Sequence, residues 1–132
     1  MIKVFVYGTL RKGEYNARFM KDAKLLDDHC WTYGVLYDTG EGYPAMIVSN
    51  QSKVNGELYL VTEKELESLD DLEGYVKGRP NNLYERIERT VYTDRGEETA
   101  YLYIANSDRP SLLKKVIPNG DWKEYLRLQI ES

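Results

Sequence analysis

The sequence predicts a mixed α+β domain in which short strands form a mainly antiparallel sheet and a few helices flank it. Strand-like apolar runs are separated by glycine-containing or polar turns. These runs do not alternate with helices in the β-α-β order that a parallel sheet requires. The chain has 132 residues, enough to bury a core but too few for two domains. Residues 1–132 are therefore expected to form one domain.

The first half of the chain is predicted to consist mainly of strands. An apolar run from Ile2 to Tyr7 ends at a glycine loop. After this loop, the helical spacing of Phe19, Ala23 and Leu26 predicts a helix from Glu14 to Leu25. The following strands are expected, with turns at 38–42 and 50–52, at Trp31–Tyr37, Ala45–Ser49 and Val54–Val61.

The second half begins with the most clearly delimited helix in the sequence. Thr62 and Glu65 form a capping box at its start, and Gly74 ends it. A breaker-rich polar loop at 77–82 follows and is expected to form the rim of a site. The remaining elements are a hairpin and a C-terminal helix, at Tyr84–Thr93, Glu98–Ala105 and Asp121–Ile130.

Composition argues against nucleic acid and membrane partners. The 18 basic and 22 acidic residues give a net charge of −4, and no block of lysine or arginine is present to follow a phosphate backbone. The 12 tyrosines could stack on single strands, but most fall in strand-like runs where aromatic rings pack. No run approaches the length of a membrane span, so the chain is expected to be cytoplasmic.

The single cysteine and the single histidine are adjacent, at Cys30 and His29. Neighbouring residues on a strand face opposite sides, so they are not expected to form a catalytic pair. One histidine and one cysteine also cannot supply a zinc site, although scattered carboxylates could bind a harder cation. We therefore predict no metal site.

Glu73 is the strongest candidate for a catalytic residue. At about 100° per residue, its side chain lies roughly 20° from Leu66 and about 40° from Leu69 around the helix, on the side that enters the core. Burial disfavours the ionised form and raises a carboxyl pKa, which suits a general base near neutral pH. The alternative is that Glu73 is solvated, as acidic residues near helix ends usually are.

The glycine loop at 8–13 is the second candidate feature. A strand that runs directly into such a loop exposes backbone N–H groups, which bind carboxylates, phosphates or developing oxyanions. Gly8 permits close approach and Thr9 adds a hydroxyl group. The loop lacks the lysine spacing of a P-loop and the three glycines of a dinucleotide site, so a nucleotide ligand is poorly supported.

Three segments together resemble the gamma-glutamylcyclotransferase-like family, most closely its small bacterial and gamma-glutamylamine cyclotransferase branch. They are the Tyr-Gly-Thr-Leu-Arg-Lys-Gly run at 7–13, the Leu-Asp-Asp-Leu-Glu-Gly run at 69–74 and Tyr-Glu-Arg at 84–86. The segments at 42–45 and 120–122 also match in position. The resemblance implies a small twisted β-barrel-like sheet with flanking helices.

The resemblance also implies an intramolecular aminolysis, a cofactor-free acyl transfer. In this reaction the α-amine of a gamma-glutamyl group attacks its own side-chain carbonyl, which forms 5-oxoproline and releases an amine. Glu73 would be the general acid and base, and Tyr7, Gly8, Thr9 and Leu10 would hold the glutamyl group. The sequence leaves open whether the loop amides bind the α-carboxylate or the carbonyl oxygen. It also leaves open the leaving group, which could be a simple amine, a lysine side chain, a peptide or a carrier-bound acyl group.

Four further residues are candidates for substrate binding. Tyr84 and Arg86 share a face if they lie on a strand, so both could frame the pocket or form one side of an ordinary sheet. Arg11 either meets a substrate carboxylate or pairs with a neighbouring acid on the surface. Tyr43 either lines the pocket or belongs to a plain turn.

Two other functions remain open at this stage. The same pocket could bind a small carboxylate ligand without chemistry, or Glu73 could activate water in a hydrolase. The expected partner is a small gamma-glutamyl molecule, and the oligomeric state cannot be deduced from the sequence.

Overall fold

A computed structural model of the chain describes residues 1–106 and 110–131. The strands are β1 (Ile2–Val6), β2 (Lys24–Asp38), β3 (Pro44–Val61), β4 (Tyr84–Thr93), β5 (Gly96–Ala105) and β6 (Lys115–Val116). The α-helices are α1 (Glu63–Glu73) and α2 (Trp122–Glu131), and short 3-10 helices occur at Ala17–Met20 and Pro110–Leu112.

The sheet closes on itself as a five-stranded barrel. Its order is β3-β1-β5-β4-β2, and β2 pairs again with β3 to complete the ring. The β1–β5 pairing is parallel, whereas the other pairings around the ring are antiparallel. The short β6 adds to β2 outside the ring. The predicted mixed, mainly antiparallel, barrel-like α+β fold is confirmed.

Irregularities in the long β2–β3 ribbon allow the ring to close. The register shifts between Tyr33 and Gly34, and residues 49–52 of β3 lie opposite that shift without a paired partner. Such irregularities increase the local bend and twist of a ribbon. Gly56 allows β3 to lie close to the end of β1, because a Cβ atom at position 56 would lie 2.3 Å from the carbonyl oxygen of Val6. The polar run at 50–52, predicted as a turn between two strands, is thus an irregularity within one continuous strand.

The side chains of β1 enter two separate core clusters, and one helix packs against each cluster. Because alternate strand residues face opposite sides, Val4 and Val6 belong to the core cluster beneath α1, and Phe5 and Tyr7 belong to the cluster that contains Trp122 of α2. Within the described residues, both helices are too short and too polar to act as membrane-spanning segments.

Helix α1 has the ends that the sequence predicts. The Thr62 Oγ1 atom accepts the Glu65 N–H at 3.1 Å, and a Glu65 carboxylate oxygen accepts the Thr62 N–H at 2.8 Å, which completes the capping box. Gly74 ends the helix with φ at 68°, a left-handed conformation that glycine adopts at little cost. Leu66 and Leu69 are buried, which fixes the rotation of the helix about its axis.

The helix predicted from Glu14 to Leu25 is wrong. Residues Ala17–Met20 form a single 3-10 turn, and β2 begins at Lys24 and pairs with β3. Phe19 and Met20 still pack in the core, so the apolar spacing was a burial signal. Pairing with β3 provides Lys24 and Leu25 with long-range backbone partners, and this outweighs a weak local preference for helix.

Candidate active site

A cavity of about 370 Å³ opens where three segments meet: the loop after β1, the turn before β3 and the C-terminal end of α1. Its lining residues are Phe5, Val6, Tyr7, Gly8, Thr9, Leu10, Tyr15, Asn16, Glu41, Gly42, Tyr43, Pro44, Leu72, Glu73, Leu83, Tyr84 and Tyr103. The candidates Glu73, Tyr7, Gly8, Thr9, Leu10, Tyr43 and Tyr84 therefore lie together around one space. Arg11 and Arg86 are not in the lining.

Glu73 is placed in this cavity as the last residue of α1. It is partly buried, and no described residue donates a hydrogen bond to its carboxylate or forms an ion pair with it. Desolvation by burial raises the pKa of Glu73 from 4.5 to about 7. Because no fully shielded polar side-chain atom lacks a hydrogen-bond partner among the described residues, the unpaired carboxylate must be open to the cavity. Glu73 can therefore exchange a proton with a ligand near neutral pH.

The tyrosines around Glu73 donate their hydroxyl protons elsewhere. Tyr7 donates to the Tyr103 carbonyl at 2.6 Å, Tyr84 to the Pro44 carbonyl at 3.3 Å, and Tyr103 to the Asp70 carboxylate at 2.6 Å. A hydroxyl group has one proton to donate, so none of the three stabilises the Glu73 anion. Burial is the main cause that raises the pKa of each tyrosine, so all three remain protonated.

The loop after β1 comprises residues 7–13, and its residues 7–10 line the cavity together with Glu73 and include unused backbone donors. A turn folds it back, with the Arg11 N–H donating to the Gly8 carbonyl at 3.0 Å. The amides of Gly8, Thr9 and Leu10 donate no hydrogen bond to a described residue. Asn16 donates from Nδ2 to Thr9 Oγ1 at 3.0 Å, which leaves the hydroxyl proton of Thr9 available to a ligand. The segment can therefore bind a carboxylate or an oxyanion.

Glycine is needed at position 8 because the loop lies against Pro44, the first residue of β3, with no room for a side chain. A Cβ atom at Gly8 would lie 2.6 Å from Cγ of Pro44 and 2.9 Å from its Cδ. Tyr43 packs next to Tyr84, with ring centroids 6.5 Å apart. The 43–44 segment therefore forms a cavity wall against the loop, as one of the two sequence interpretations expected.

Arg11 lies behind the loop rather than in the cavity. Its Nε atom donates to Glu57 at 3.2 Å and a terminal nitrogen donates to Asp121 at 3.0 Å, while only 9% of the Arg11 side chain is exposed. Arg11 thus pairs with acids, as the second interpretation expected, but the pair with Glu57 is buried and not on the surface. The buried partner, Glu57, was missed, although a glutamate within the otherwise apolar run 56–61 was a usable signal.

The side chains of Tyr84 and Arg86 lie in different environments, although the two residues are only two positions apart on β4. Tyr84 reaches the cavity, whereas Arg86 donates to Asp70 at 2.6 Å and packs against the rings of Tyr75 and Tyr101. Asp70 of α1 thus neutralises the charge of Arg86 outside the cavity.

The loop at 77–82, expected to form the rim, does not line the cavity. It folds around the buried side chain of Asn82, which accepts the Val76 N–H at 3.1 Å and donates to the Val76 carbonyl at 3.0 Å. The rim is formed by the exposed residues Tyr15, Glu41 and Leu83.

His29 and Cys30 do not form a reactive pair. His29 is exposed and contacts Asp28 at 2.7 Å, whereas Cys30 is buried and burial raises its thiol pKa to about 12. Across residues 1–106 and 110–131, no group of three histidine, cysteine or acidic side chains is arranged to hold a metal ion.

Comparison with known proteins identifies the same family over most of the chain. The family model described as gamma-glutamyl cyclotransferase, AIG2-like, matches residues 4–124. The gamma-L-glutamyl-butirosin B gamma-glutamyl cyclotransferase of Niallia circulans is 43% identical over 133 residues, which covers 100% of this chain and 81% of that protein. The gamma-glutamylcyclotransferase family protein YtfP of Escherichia coli K12 is 32% identical over 121 residues, which covers 92% of this chain and 96% of that protein.

The fold is shared with solved structures. An AIG2-like protein from Mus musculus superposes with a TM-score of 0.76 at 26% identity, covering 92% of this chain and 88% of that one.

Proposed function

This chain belongs to the gamma-glutamyl cyclotransferase, AIG2-like family, and from that premise we propose that it converts a gamma-glutamyl amine into 5-oxoproline and a free amine. The family and the names of the relatives support an enzyme of the gamma-glutamylcyclotransferase kind. The observation that carries the finer proposal is Glu73, an unpaired carboxylate with a pKa of about 7 across the cavity from three unused amides.

The first step is removal of a proton from the substrate. The α-ammonium group is not nucleophilic until it loses a proton, and ionised Glu73 accepts that proton. The α-nitrogen then attacks the side-chain carbonyl carbon of the same glutamyl group and forms the new C–N bond. The bond from this carbon to the leaving nitrogen breaks as Glu73 returns its proton to that nitrogen. Glu73 then takes the second proton of the new ring nitrogen and passes it to the departing amine, which leaves as an ammonium ion. Water is not consumed, and no cofactor is required.

The loop after β1 supplies the electrostatic part of the mechanism. The amides of Gly8, Thr9 and Leu10, with the Thr9 hydroxyl, bind either the α-carboxylate or the carbonyl oxygen, which becomes negatively charged in the transition state. Tyr7 and Tyr84 pack around the glutamyl chain and keep it curled. Holding nucleophile and carbonyl within attack distance supplies a large share of the rate in such intramolecular reactions.

The charges of the cavity favour an amine without a carboxylate as the leaving group. Its charged lining residues are both acids, Glu41 at the rim and Glu73 inside. A leaving amino acid would bring its own carboxylate to this rim, where like charges repel. We therefore expect a gamma-glutamyl alkylamine to have a higher kcat/KM than a gamma-glutamyl amino acid with a stem of equal length.

The decisive experiment is Glu73→Gln, scored by mass analysis of the products. Loss of a general acid and base should lower kcat by about 10² to 10⁴-fold, while the variant stays folded because the carboxylate has no partner to lose. In the wild type, kcat/KM should rise as pH increases through about 7, because the ionised form of Glu73 is the base.

Glu98→Gln is the matched control, since Glu98 is a partly exposed carboxylate of β5 in an ion pair with Lys3, outside the cavity lining. It should turn over substrate at the wild-type rate. Release of glutamate instead of 5-oxoproline would identify a hydrolase. Stabilisation by small carboxylates with no turnover of any gamma-glutamyl compound would identify a binding module.

A further inference from the structure

The end of α1 is attached to the sheet by contacts that the mechanism does not use. Asp70 precedes Glu73 by about one helical turn and is partly buried. One carboxylate oxygen of Asp70 accepts from Arg86 at 2.6 Å, and the other accepts from the Tyr103 hydroxyl at 2.6 Å. Arg86 lies on β4 and Tyr103 lies opposite it on β5. One carboxylate thus joins the helix to two paired strands.

Two tyrosines, Tyr75 and Tyr101, extend these contacts into a connected network at the C-terminal end of α1. Tyr75, just after the Gly74 cap, donates its N–H to the Asp70 carbonyl at 2.8 Å. The Tyr75 ring then lies 5.1 Å from the Arg86 guanidinium, and Tyr101 lies 4.7 Å from it. Stacking on aromatic rings restricts a guanidinium group that also binds a carboxylate. The position of the last turn of α1 is therefore determined by both backbone and side-chain contacts.

Tyr103 connects this network of contacts to the cavity. Its ring is part of the lining, and its carbonyl accepts the Tyr7 hydroxyl at 2.6 Å. Tyr7 begins the loop whose amides face Glu73. The same residue thus contacts the helix that carries the carboxylate and the loop on the opposite wall.

We propose that Asp70, Arg86 and Tyr103 are positioning residues that hold the Glu73 carboxylate inside the cavity, facing the loop after β1. This inference rests on the function proposed above and assigns Arg86 a different role from the substrate contact that the sequence left possible. Arg86 acts through Asp70 and does not touch the ligand.

A physical reason for such a tether lies in Glu73 itself. An ionised carboxylate without donors gains free energy by moving into water, and terminal turns of helices fray readily. Ionisation of Glu73 therefore favours movement of the last turn of α1 toward solvent. The contacts of Asp70 with two strands oppose that movement.

The position of Glu73 can be measured through its titration. The titratable groups that line the cavity with Glu73 come from the segment after β1, the turn before β3, and strands β4 and β5. They are Tyr7, Tyr15, Glu41, Tyr43, Tyr84 and Tyr103. Desolvation is the cause of the raised pKa of Glu73. If the helix end moves outward, the pKa of Glu73 must fall toward 4.5.

The test is Tyr103→Phe, which removes one hydroxyl group and changes no charge near neutral pH. We expect kcat to fall about tenfold or more, since displacements of about 1 Å can cost 10²-fold, with a smaller change in KM. The acid limb of the kcat profile should move to lower pH. NMR titration of ¹³C-labelled glutamate carboxyls should show the Glu73 pKa lowered. Arg86→Lys, which keeps the charge but loses the fork geometry, should show a smaller loss in the same direction.

Lys3→Met is the control, because it breaks an ion pair of equal length, 2.6 Å, that shares no hydrogen bond with Asp70, Arg86 or Tyr103. It should leave kcat and the Glu73 titration unchanged. The inference is overturned if folded Tyr103→Phe or Arg86→Lys keeps the wild-type kcat and the wild-type pKa of Glu73, whatever happens to the melting temperature. If the wild type releases no 5-oxoproline, the proposed function fails, and the NMR titration still decides whether these residues position Glu73.

Discussion

Two glutamates removed from bulk water, Glu57 and Glu73, have opposite surroundings in this molecule. Glu57 on β3 is 2% exposed, and its carboxylate accepts hydrogen bonds from Arg11 Nε, from the Lys12 N–H and from the Tyr59 hydroxyl. Glu73 has no donor among the described residues, and its pKa is raised to about 7. The number of donors, rather than burial alone, separates a structural carboxylate from a reactive one.

The two carboxylates act on the same loop from opposite sides. Glu57 binds Arg11 and the backbone of Lys12, and Arg11 continues to Asp121 at the start of α2. This cluster fixes the back of the loop after β1, while the loop presents its free amides to Glu73 on the front. The paired glutamate therefore supports the loop from behind, and the unpaired glutamate lies in the cavity.

The largest effect expected from this comparison is on stability. Glu57→Gln removes the charge that compensates Arg11, and breaking a buried ion pair on one side costs about 3–5 kcal/mol. Glu73→Gln removes no partner and should cost nothing at pH 7. Urea unfolding of both variants at this pH measures the difference. Equal losses would mean that the two glutamates are not distinguished by their donors.

The partial burial of Glu73 could be predicted from the sequence because the evidence for it is local. The phase of Glu73 relative to Leu66 and Leu69 and the capping box at Thr62 lie within one short helix, and the structure has these features as expected. Arg11 and Glu57 are 46 residues apart, and no local pattern specifies that they meet. The sequence therefore left two interpretations of Arg11 open, and only the fold decides between them.

The same limit applies to the fold. The β4–β5 hairpin is specified by neighbouring residues and is observed across the predicted turn. The parallel pairing of β1 with β5 joins strands at opposite ends of the sequence, with Val4 next to Tyr101, and it could not be deduced from periodicity. The barrel was expected only through the family resemblance, which carries long-range information that a single sequence does not display.

The pH dependence of stability should sharpen the comparison. The pKa of Glu73 is about 7 in the folded state against 4.5 as its ordinary value, so between these values the folded protein binds more protons than the unfolded one. The contribution of Glu73 is complete below about pH 4.5 and is lost as pH rises through about 7, by an amount on the order of 3 kcal/mol. Glutamine does not titrate, so Glu73→Gln should gain this much on the wild type between pH 4.5 and pH 8.

Urea unfolding at several pH values across this range gives that difference directly. Glu98→Gln should differ from the wild type by less than about 1 kcal/mol across this range, because it removes only a partly exposed ion pair. A constant difference between Glu73→Gln and the wild type at all pH values would show that Glu73 titrates normally and is open to water.

The smallest effect concerns a third carboxylate, which is paired like Glu57 but exposed. Glu98 meets Lys3 at 2.6 Å, with 38% and 39% of their side chains exposed. Water screens such a pair, so Glu98→Gln should lower the free energy of unfolding by less than about 1 kcal/mol, and the loss should shrink further at high salt. A loss comparable to that of Glu57→Gln would mean that pairing stabilises regardless of burial. A loss below 1 kcal/mol would show that the contribution of Glu57 comes from donors placed where water cannot replace them.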